Sequence, residues 1–283
     1  MSNINASGRV HHQEYFSMAN IIEGSPDAET LLGTKGEDWM EGFQGGDWID
    51  GRGGNDEISA GPGSDRALGG EGNDRIFGGD GWDDLSGDNG RFNARISGED
   101  NDRLSGGPGQ DVLYVGDGQD TLTGGTDNDT FVFQFHNPVP GVDPSVGSKP
   151  DITTITDFNP AEDKFAFDAV GLYNDGFGAN FVNNASIQSG YPVSSFYSGA
   201  ASGANGEHVV VITGESFNSA DEAARAISGE HAGDIIVYQS SYTDRVATLA
   251  YVTGDGSAHE FAHLGGVVTV ADLGLTASDF TFV

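Results

Sequence analysis

The sequence has no cysteine, few basic residues and no long hydrophobic stretch. None of its 283 residues is Cys, so no disulfide stabilises the fold and no thiol acts as a nucleophile. Only 12 residues are Lys or Arg against 44 Asp or Glu, which gives a formal net charge of −32. Phosphate backbones and anionic membrane surfaces repel a protein of this charge. Composition therefore excludes nucleic acid as a partner.

Two kinds of targeting segment are missing as well. Residues 1–16 include the polar His11, His12 and Glu14 and contain no apolar stretch of about 7–15 residues, so they do not form a conventional secretory signal. No segment reaches the roughly 20 apolar residues of a transmembrane helix. We expect either a cytosolic protein or one that is exported by machinery that reads a different targeting signal.

What the sequence has instead is a nine-residue repeat within residues 33–132, where much of its glycine is concentrated. One unit is GGEGNDRIF at residues 69–77. An aspartate recurs every nine residues, with one interruption, at Asp38, Asp47, Asp56, Asp65, Asp74, Asp83, Asp102, Asp111, Asp120 and Asp129. Two residues after each aspartate stands an apolar residue: Met40, Ile49, Ile58, Ala67, Ile76, Leu85, Leu104, Leu113, Leu122 and Phe131.

Each part of this unit has a physical reason in a parallel β-roll. The first six residues turn, and glycine reaches positive φ without steric cost. Asp100 and Asp127 replace the glycine at the fourth position, and Asp is one of the few residues that tolerate a left-handed conformation. The last three residues form a short strand whose middle side chain points inward. Two units make one circuit, so we predict a mainly all-β fold, a parallel β-roll of glycine-rich nonapeptides followed by a β-rich domain with one short helix.

Stacked turns of such a roll form sites for calcium. Aspartates eighteen residues apart come close together beside backbone carbonyls, and an all-oxygen cage suits a hard cation with six or more ligands. We predict that about six calcium ions bind, shared by the aspartates listed above. The predicted pairs are Asp38/Asp56, Asp47/Asp65, Asp56/Asp74, Asp65/Asp83, Asp102/Asp120 and Asp111/Asp129. The alternative, a glycine-rich linker, needs no aliphatic residue in phase with an aspartate.

One unit departs from the pattern. Ten residues, 87–96, stand between Ser86 and Ser97 where nine are expected, and Phe92 occupies the place of the aspartate. We expect a bulge or protruding loop there and at least one missing ion. A recognition loop that carries Phe92 and two arginines is the functional alternative to drift within the repeat.

These repeats resemble the RTX, or hemolysin-type calcium-binding, family. The segment DITTITDFNP at residues 151–160, followed by Glu162, Asp163 and Lys164, is similar to the segment that closes the rolls of serralysin-type domains. The last residues, 278–283, are similar to the uncleaved C-terminal secretion signal that type I exporters recognise. The resemblance implies that the type I secretion machinery exports an unfolded chain, which then folds in extracellular calcium and is secreted or held at the cell surface.

We divide the chain into an N-terminal segment (1–32), the roll (33–132), a capping segment (133–170) and a β-rich C-terminal domain (171–283). Residues 136–150 are expected to form a loop and residues 174–206 to be irregular. Strands are expected at residues 164–167, 208–213, 235–238 and 246–253, with a turn at 254–256. Ser219 and Glu222 form a capping box that predicts a short helix ending near Ile227.

One motif in this domain is typical of zinc proteases. His259-Glu260-Phe261-Ala262-His263 matches H-E-x-x-H, with His259 and His263 as zinc ligands and Glu260 as general base. The third ligand position holds Thr269, and no methionine follows Met40. The motif also lies just after a predicted turn, in a stretch expected to be a strand, which places residues four apart too far from each other to share one zinc. We interpret it as a chance match and expect no catalytic residue.

The function predicted from the sequence is that of a secreted calcium-binding protein with a structural or interaction role and an extracellular partner that the residues do not identify. A small pore-forming or toxin-like RTX protein is the alternative. Against it, the sequence contains no apolar membrane-active segment and few lysines.

Overall fold

In a computed structural model, the chain winds back and forth between two large β-sheets. The structure describes residues 20–88, 100–116, 118–134, 142–143, 149–150, 152–167, 191–193, 195–242, 246–266 and 269–282. Within them, the strands as far as residue 133 are β1 Asn20–Glu23, β2 Thr30–Leu32, β3 Asp38–Glu41, β4 Trp48–Gly53, β5 Glu57–Ser59, β6 Arg66–Glu71, β7 Arg75–Phe77, β8 Asp84–Ser86, β9 Arg103–Pro108, β10 Val112–Val115, β11 Thr121–Thr126 and β12 Thr130–Phe133.

The later part of the chain adds strands and short helices. The strands are β13 Val142–Asp143, β14 Lys149–Pro150, β15 Thr153–Ile155, β16 Lys164–Phe167, β17 Tyr191–Pro192, β18 Phe196–Gly199, β19 Val209–Phe217, β20 Ile235–Ser240, β21 Ala247–Gly254, β22 Ser257–Leu264 and β23 Phe280–Phe282. The helices are α1 Ala220–Ala226 and α2 Val270–Leu273, with 3-10 turns at Ala201–Gly203 and Ala277–Asp279.

Odd and even strands of the repeat region lie in opposite sheets. In the described residues one sheet runs β1-β3-β5-β7-β9-β11-β15-β22-β21-β20-β19-β18, and the other runs β17-β23-β16-β12-β10-β8-β6-β4-β2. Each roll strand pairs in parallel with the strand one circuit further on, for example Ile58 with Ile76. The predicted parallel β-roll followed by a β-rich region is confirmed.

The apolar position of each unit forms the core of the roll. All the apolar residues predicted to point inward are at most 2% exposed: Met40, Ile49, Ile58, Ala67, Ile76, Leu85, Leu104, Leu113, Leu122 and Phe131. Their side chains meet between the two sheets in one continuous cluster. Because each unit contributes one such residue, the core is a narrow stripe.

The turns stack so closely that only glycine fits at some positions. A Cβ built on Gly63 would lie 1.5 Å from the carbonyl oxygen of Gly45, one circuit earlier. Asp127, predicted to replace glycine in the turn, adopts a φ of 78°, in the left-handed region.

Phenylalanines close the end of the roll. Phe158 stacks on Phe165 with ring centroids 4.1 Å apart, and Phe165 lies 5.5 Å from Phe280. Phe133 meets Phe261 edge to face at 5.1 Å. These rings join the last circuit of the roll to β22 and β23, so the core of the roll continues into the C-terminal region.

The C-terminal region largely follows the expected elements. The predicted strands are present as β16, β19, β20 and β21, and residues 255–256 form the turn before β22. Helix α1 begins after Ser219, whose Oγ accepts a hydrogen bond from Glu222 N (3.2 Å). It covers the outer face of β19 to β22 and forms a second, smaller core. The expectation of one helix missed the single-turn α2, which starts after Thr269.

Several expectations lie outside the described residues. They are the N-terminal segment up to residue 19, Phe92 and its loop, most of the loop at 136–150 and residues 174–190 of the irregular stretch. The domain boundaries stay a prediction. No helix in the described part of the chain is long and apolar enough to cross a membrane.

The aromatic closure makes a stability prediction. Phe165→Ala removes a fully buried ring from this cluster and is expected to lower the free energy of unfolding by about 3–5 kcal/mol. Urea unfolding at saturating calcium measures it. Phe77→Ala is the matched control, because Phe77 is 47% exposed on β7 and its loss should cost less than about 1 kcal/mol. Equal losses in the two variants would contradict a core role for Phe165.

Candidate calcium-binding turns

The aspartates of the repeat form two columns, one along each row of turns. One column contains Asp38, Asp56, Asp74, Asp102 and Asp120, and the other contains Asp47, Asp65, Asp83, Asp111 and Asp129. In each column the backbone N–H of one aspartate donates to Oδ1 of the next, at 2.7–3.0 Å. All ten side chains are at most 3% exposed. The structure thus brings together every pair predicted from the spacing.

The second oxygen of most of these carboxylates has no partner. Oδ2 is buried and accepts no hydrogen bond in Asp47, Asp56, Asp65, Asp74, Asp83, Asp111 and Asp129. Buried polar atoms of folded proteins are almost always partnered, and an unpaired buried charge is costly. A repeated set of orphaned carboxylate oxygens therefore indicates a ligand between the turns.

In most units the first residue is a glycine, which leaves the space for that ligand. A Cβ on Gly51 would lie 2.4 Å from Asp56 Oδ2 and 2.5 Å from the carbonyl oxygen of Gly69. A Cβ on Gly106 would lie 2.2 Å from Asp111 Oδ2 and 2.6 Å from Gly124 O. Carboxylate and carbonyl oxygens thus face the same small space. Oxygen donors of this kind suit calcium, so the residues present fit the predicted ion.

Burial makes these carboxylates hard to ionise without a cation. Desolvation raises the pKa of Asp56 and Asp111 to about 6, of Asp83 and Asp129 to about 7, and of Asp74 to about 8. Repulsion from neighbouring aspartates adds to the shift, whereas the hydrogen bond from a backbone N–H opposes it. A bound divalent cation reverses this balance because it stabilises the charged form.

The columns continue across the irregular unit. Asp74 N donates to Asp102 Oδ1 at 2.8 Å and Asp83 N to Asp111 Oδ1 at 2.9 Å, although these partners are 28 residues apart in place of the usual 18. The aspartate columns are therefore continuous here, while the expected loop lies outside the described residues and the expected missing ion stays a prediction. The hydrogen-bonded succession of aspartates thus passes directly from Asp74 to Asp102 and from Asp83 to Asp111.

The ends of one column involve residues that the spacing argument did not assign to the site. Glu29 N donates to Asp47 Oδ1 at 2.9 Å, and Asp129 N donates to Asp163 Oδ1 at 3.1 Å. Glu29 stands nine residues before Asp38, and Asp163 is followed two residues later by buried Phe165, so both fit the repeat in part. Asp157 accepts hydrogen bonds from Gly124 N and Gly125 N, both at 2.9 Å, and covers the last turn.

The H-E-x-x-H motif does not form a zinc site. It lies in strand β22, as predicted, and an irregular register near Phe261 places His259 opposite Tyr251 and His263 opposite Thr248. Tyr251 and Thr248 are three residues apart on regularly paired β21, so the two histidines lie on opposite faces of the sheet. Glu260 instead accepts a hydrogen bond from Tyr238 Oη and lies 3.3 Å from His263 Nε2.

Comparison with known proteins identifies the family of the repeats. The model of the RTX calcium-binding nonapeptide repeat matches residues 23–58, 59–91 and 96–131. The match identifies the units of the β-roll as RTX calcium-binding nonapeptide repeats. The match begins ahead of residue 33, in agreement with the participation of β1 and β2 in the two sheets.

Two individual proteins are similar to this chain. Nodulation protein O of Rhizobium leguminosarum bv. viciae is 44% identical over 164 residues, 55% of this chain and 56% of the relative, so the chain spans about half the length of that curated relative. The solution structure of the AlgE6R3 subunit of the Azotobacter vinelandii mannuronan C5-epimerase covers 91% of this chain and 80% of its own, at 18% identity and a TM-score of 0.26. A likeness of that size carries no argument.

The glycine that opens each turn can be tested directly. Gly51→Ala places a methyl group against Asp56 Oδ2 and Gly69 O, and is expected to raise the calcium concentration needed for folding by about tenfold or more. Circular dichroism during a calcium titration measures the midpoint. Gly36→Ala is the control, since a Cβ there meets nothing within 4 Å. The proposed calcium site is refuted if both variants fold at the same calcium concentration as the wild type.

The raised pKa values predict opposite pH dependences with and without calcium. A carboxyl group whose pKa is higher in the folded state than in the unfolded state stabilises the fold fully below about pH 4 and loses that effect as pH rises through its folded pKa. Any residual β-structure that metal-free protein retains at low pH should therefore be lost as pH rises through about 6 to 8, the range of the raised pKa values.

Calcium affinity should rise over the same range, because the ion competes with protons for the carboxylates. Circular dichroism of metal-free and calcium-loaded protein from pH 4 to pH 9 measures both trends. β-structure that grows with pH in metal-free protein would contradict the assignment of these aspartates as buried, mutually repelling groups.

Proposed function

We propose that this protein is exported unfolded, folds when it meets extracellular calcium, and then acts as a rigid structural or contact element at or near the cell surface. The observation that carries the proposal is the pair of buried aspartate columns, whose orphaned Oδ2 atoms leave the roll dependent on a cation. Sites of extracellular calcium-binding modules commonly have millimolar affinities, which leaves them empty in a low-calcium cytosol.

The last residues of the sequence support export before folding. The stretch proposed as the type I address contains Asp279, which is 7% exposed, and Phe280, which is fully buried. Phe280 pairs with Phe165 in the sheet as part of β23. A transporter that reads these side chains must meet them before the chain folds, and calcium-dependent folding delays that event until after export.

A non-enzymatic role agrees with the site. Among the described residues, the one motif typical of catalysis has its two histidines on opposite faces of a strand. The proposal thus includes two partners, which are the type I secretion machinery during export and an extracellular partner after folding.

A calcium titration tests the proposal. In chelator, circular dichroism should show little β-structure, and about millimolar calcium should induce it. The eight aspartate pairs of the two columns lead us to expect six to eight bound ions when the calcium of dialysed protein is counted. Magnesium at the same concentration is the control, because it demands a smaller, octahedral site and should induce no fold. A fully folded roll in excess chelator would overturn the proposal.

A further inference from the structure

The irregular unit brings together carboxylates that no regular unit has. A carboxylate oxygen of each of Asp88, Asp100 and Asp102 lies within 4.8 Å of the other two, a grouping of three metal-ligating side chains found only here among the described residues. Asp100 and Asp102 are 4% and 3% exposed. Asp88 stands directly after the opening Gly87, and Asp100 two residues before Asp102. In the regular unit of residues 69–77 both positions are glycine.

This cluster lies at the junction of the two stretches of repeat. Asp102 receives the N–H of Asp74 from the circuit before and donates its own N–H to Asp120 Oδ1, at 3.0 Å, in the circuit after. Asp88 reaches the same later circuit, since a Cβ on Gly116 would lie 1.6 Å from Asp88 Oδ2. The two extra carboxylates therefore join an existing position of the column.

A second observation, separate from the negative charge of the cluster, also indicates a bound ion. Asp74, 1% exposed, has a buried Oδ2 without a hydrogen-bond partner. A Cβ on Gly69 would lie 2.2 Å from that oxygen and 2.4 Å from the carbonyl oxygen of Gly87, so Asp74 points towards the turn that carries the cluster. A Cβ on Gly87 would in turn lie 1.9 Å from Asp102 Oδ2. Glycines thus keep space open on successive turns beside the cluster.

A regular position of the column supplies carboxylates from two aspartates, whereas this junction offers Asp88 and Asp100 in addition. Ligand charge is one of the properties that set calcium affinity in proteins. We propose that Asp88, Asp100 and Asp102 form the tightest calcium site of the roll, which fills first and joins the circuits on either side of the inserted residues. This inference rests on the proposed calcium-driven folding and names the position where it starts.

Competition with a chromophoric calcium chelator, applied to the full chain, measures the affinity of the first binding step. In the wild type, the first ion should bind about tenfold or more tightly than the later ones. Asp88→Asn and Asp100→Asn should each abolish that step and leave the later ones. Asp127→Asn is the matched control, because Asp127 also replaces the fourth glycine of a unit but is exposed and lies outside the cluster.

Circular dichroism at saturating calcium is the control that tests whether each variant folds. Asp88→Gly restores the glycine of a regular unit and carries the same expectation if the asparagine variant folds poorly. A first step that is equally tight in the wild type, Asp88→Asn, Asp88→Gly and Asp100→Asn overturns this inference while calcium-driven folding stands. A wild type that folds without calcium overturns the proposed function itself.

Discussion

The structure depends on carboxylates that are buried and stacked one circuit apart. Each aspartate after the first of its column accepts, through one oxygen, the backbone N–H of the aspartate before it, and most leave the other oxygen without a partner. Hydrogen bonds hold the columns in register, but they do not neutralise the charge. The stack is therefore complete only with a cation between the turns, and the ion is part of the fold.

The same constraint explains the composition of the repeat. Turns that place carbonyl and carboxylate oxygens around one ion must approach each other closely, and at Gly51 the first position of the unit has no room for a side chain. Glycine-rich turns leave one apolar residue per unit for the core. The narrow core buries little apolar surface, and the glycine-rich turns lose much conformational entropy on folding. We therefore expect the metal-free chain to be unstable, so the calcium dependence follows from the site geometry.

The roll and its aspartates could be predicted because both follow one strict period, and each residue of the unit has one physical role. The junction could not be predicted in the same way. Counting in nines placed Phe92 at an aspartate position, whereas Asp74 pairs with Asp102, 28 residues further on. Stacking between circuits decides which aspartates become partners across an irregular unit, and the linear spacing alone does not show that pairing. Asp163 was missed as a member of the column because 34 residues separate it from Asp129.

The sheets do not stop where the repeat stops. β15 pairs in parallel with β22, and β16 with β23, so the C-terminal region stacks on the last circuit as a further layer of both sheets. Strand β22 pairs with the edge of β15 and β23 with the edge of β16, and these edges exist only when the preceding circuits are formed. Calcium bound in the turns is therefore coupled to the order of a region that, among the described residues, holds none of the aspartate pairs. The C-terminal region and the aspartate columns consequently share two continuous sheets, so the proposed calcium-driven folding of the roll would also order the surface of the C-terminal region.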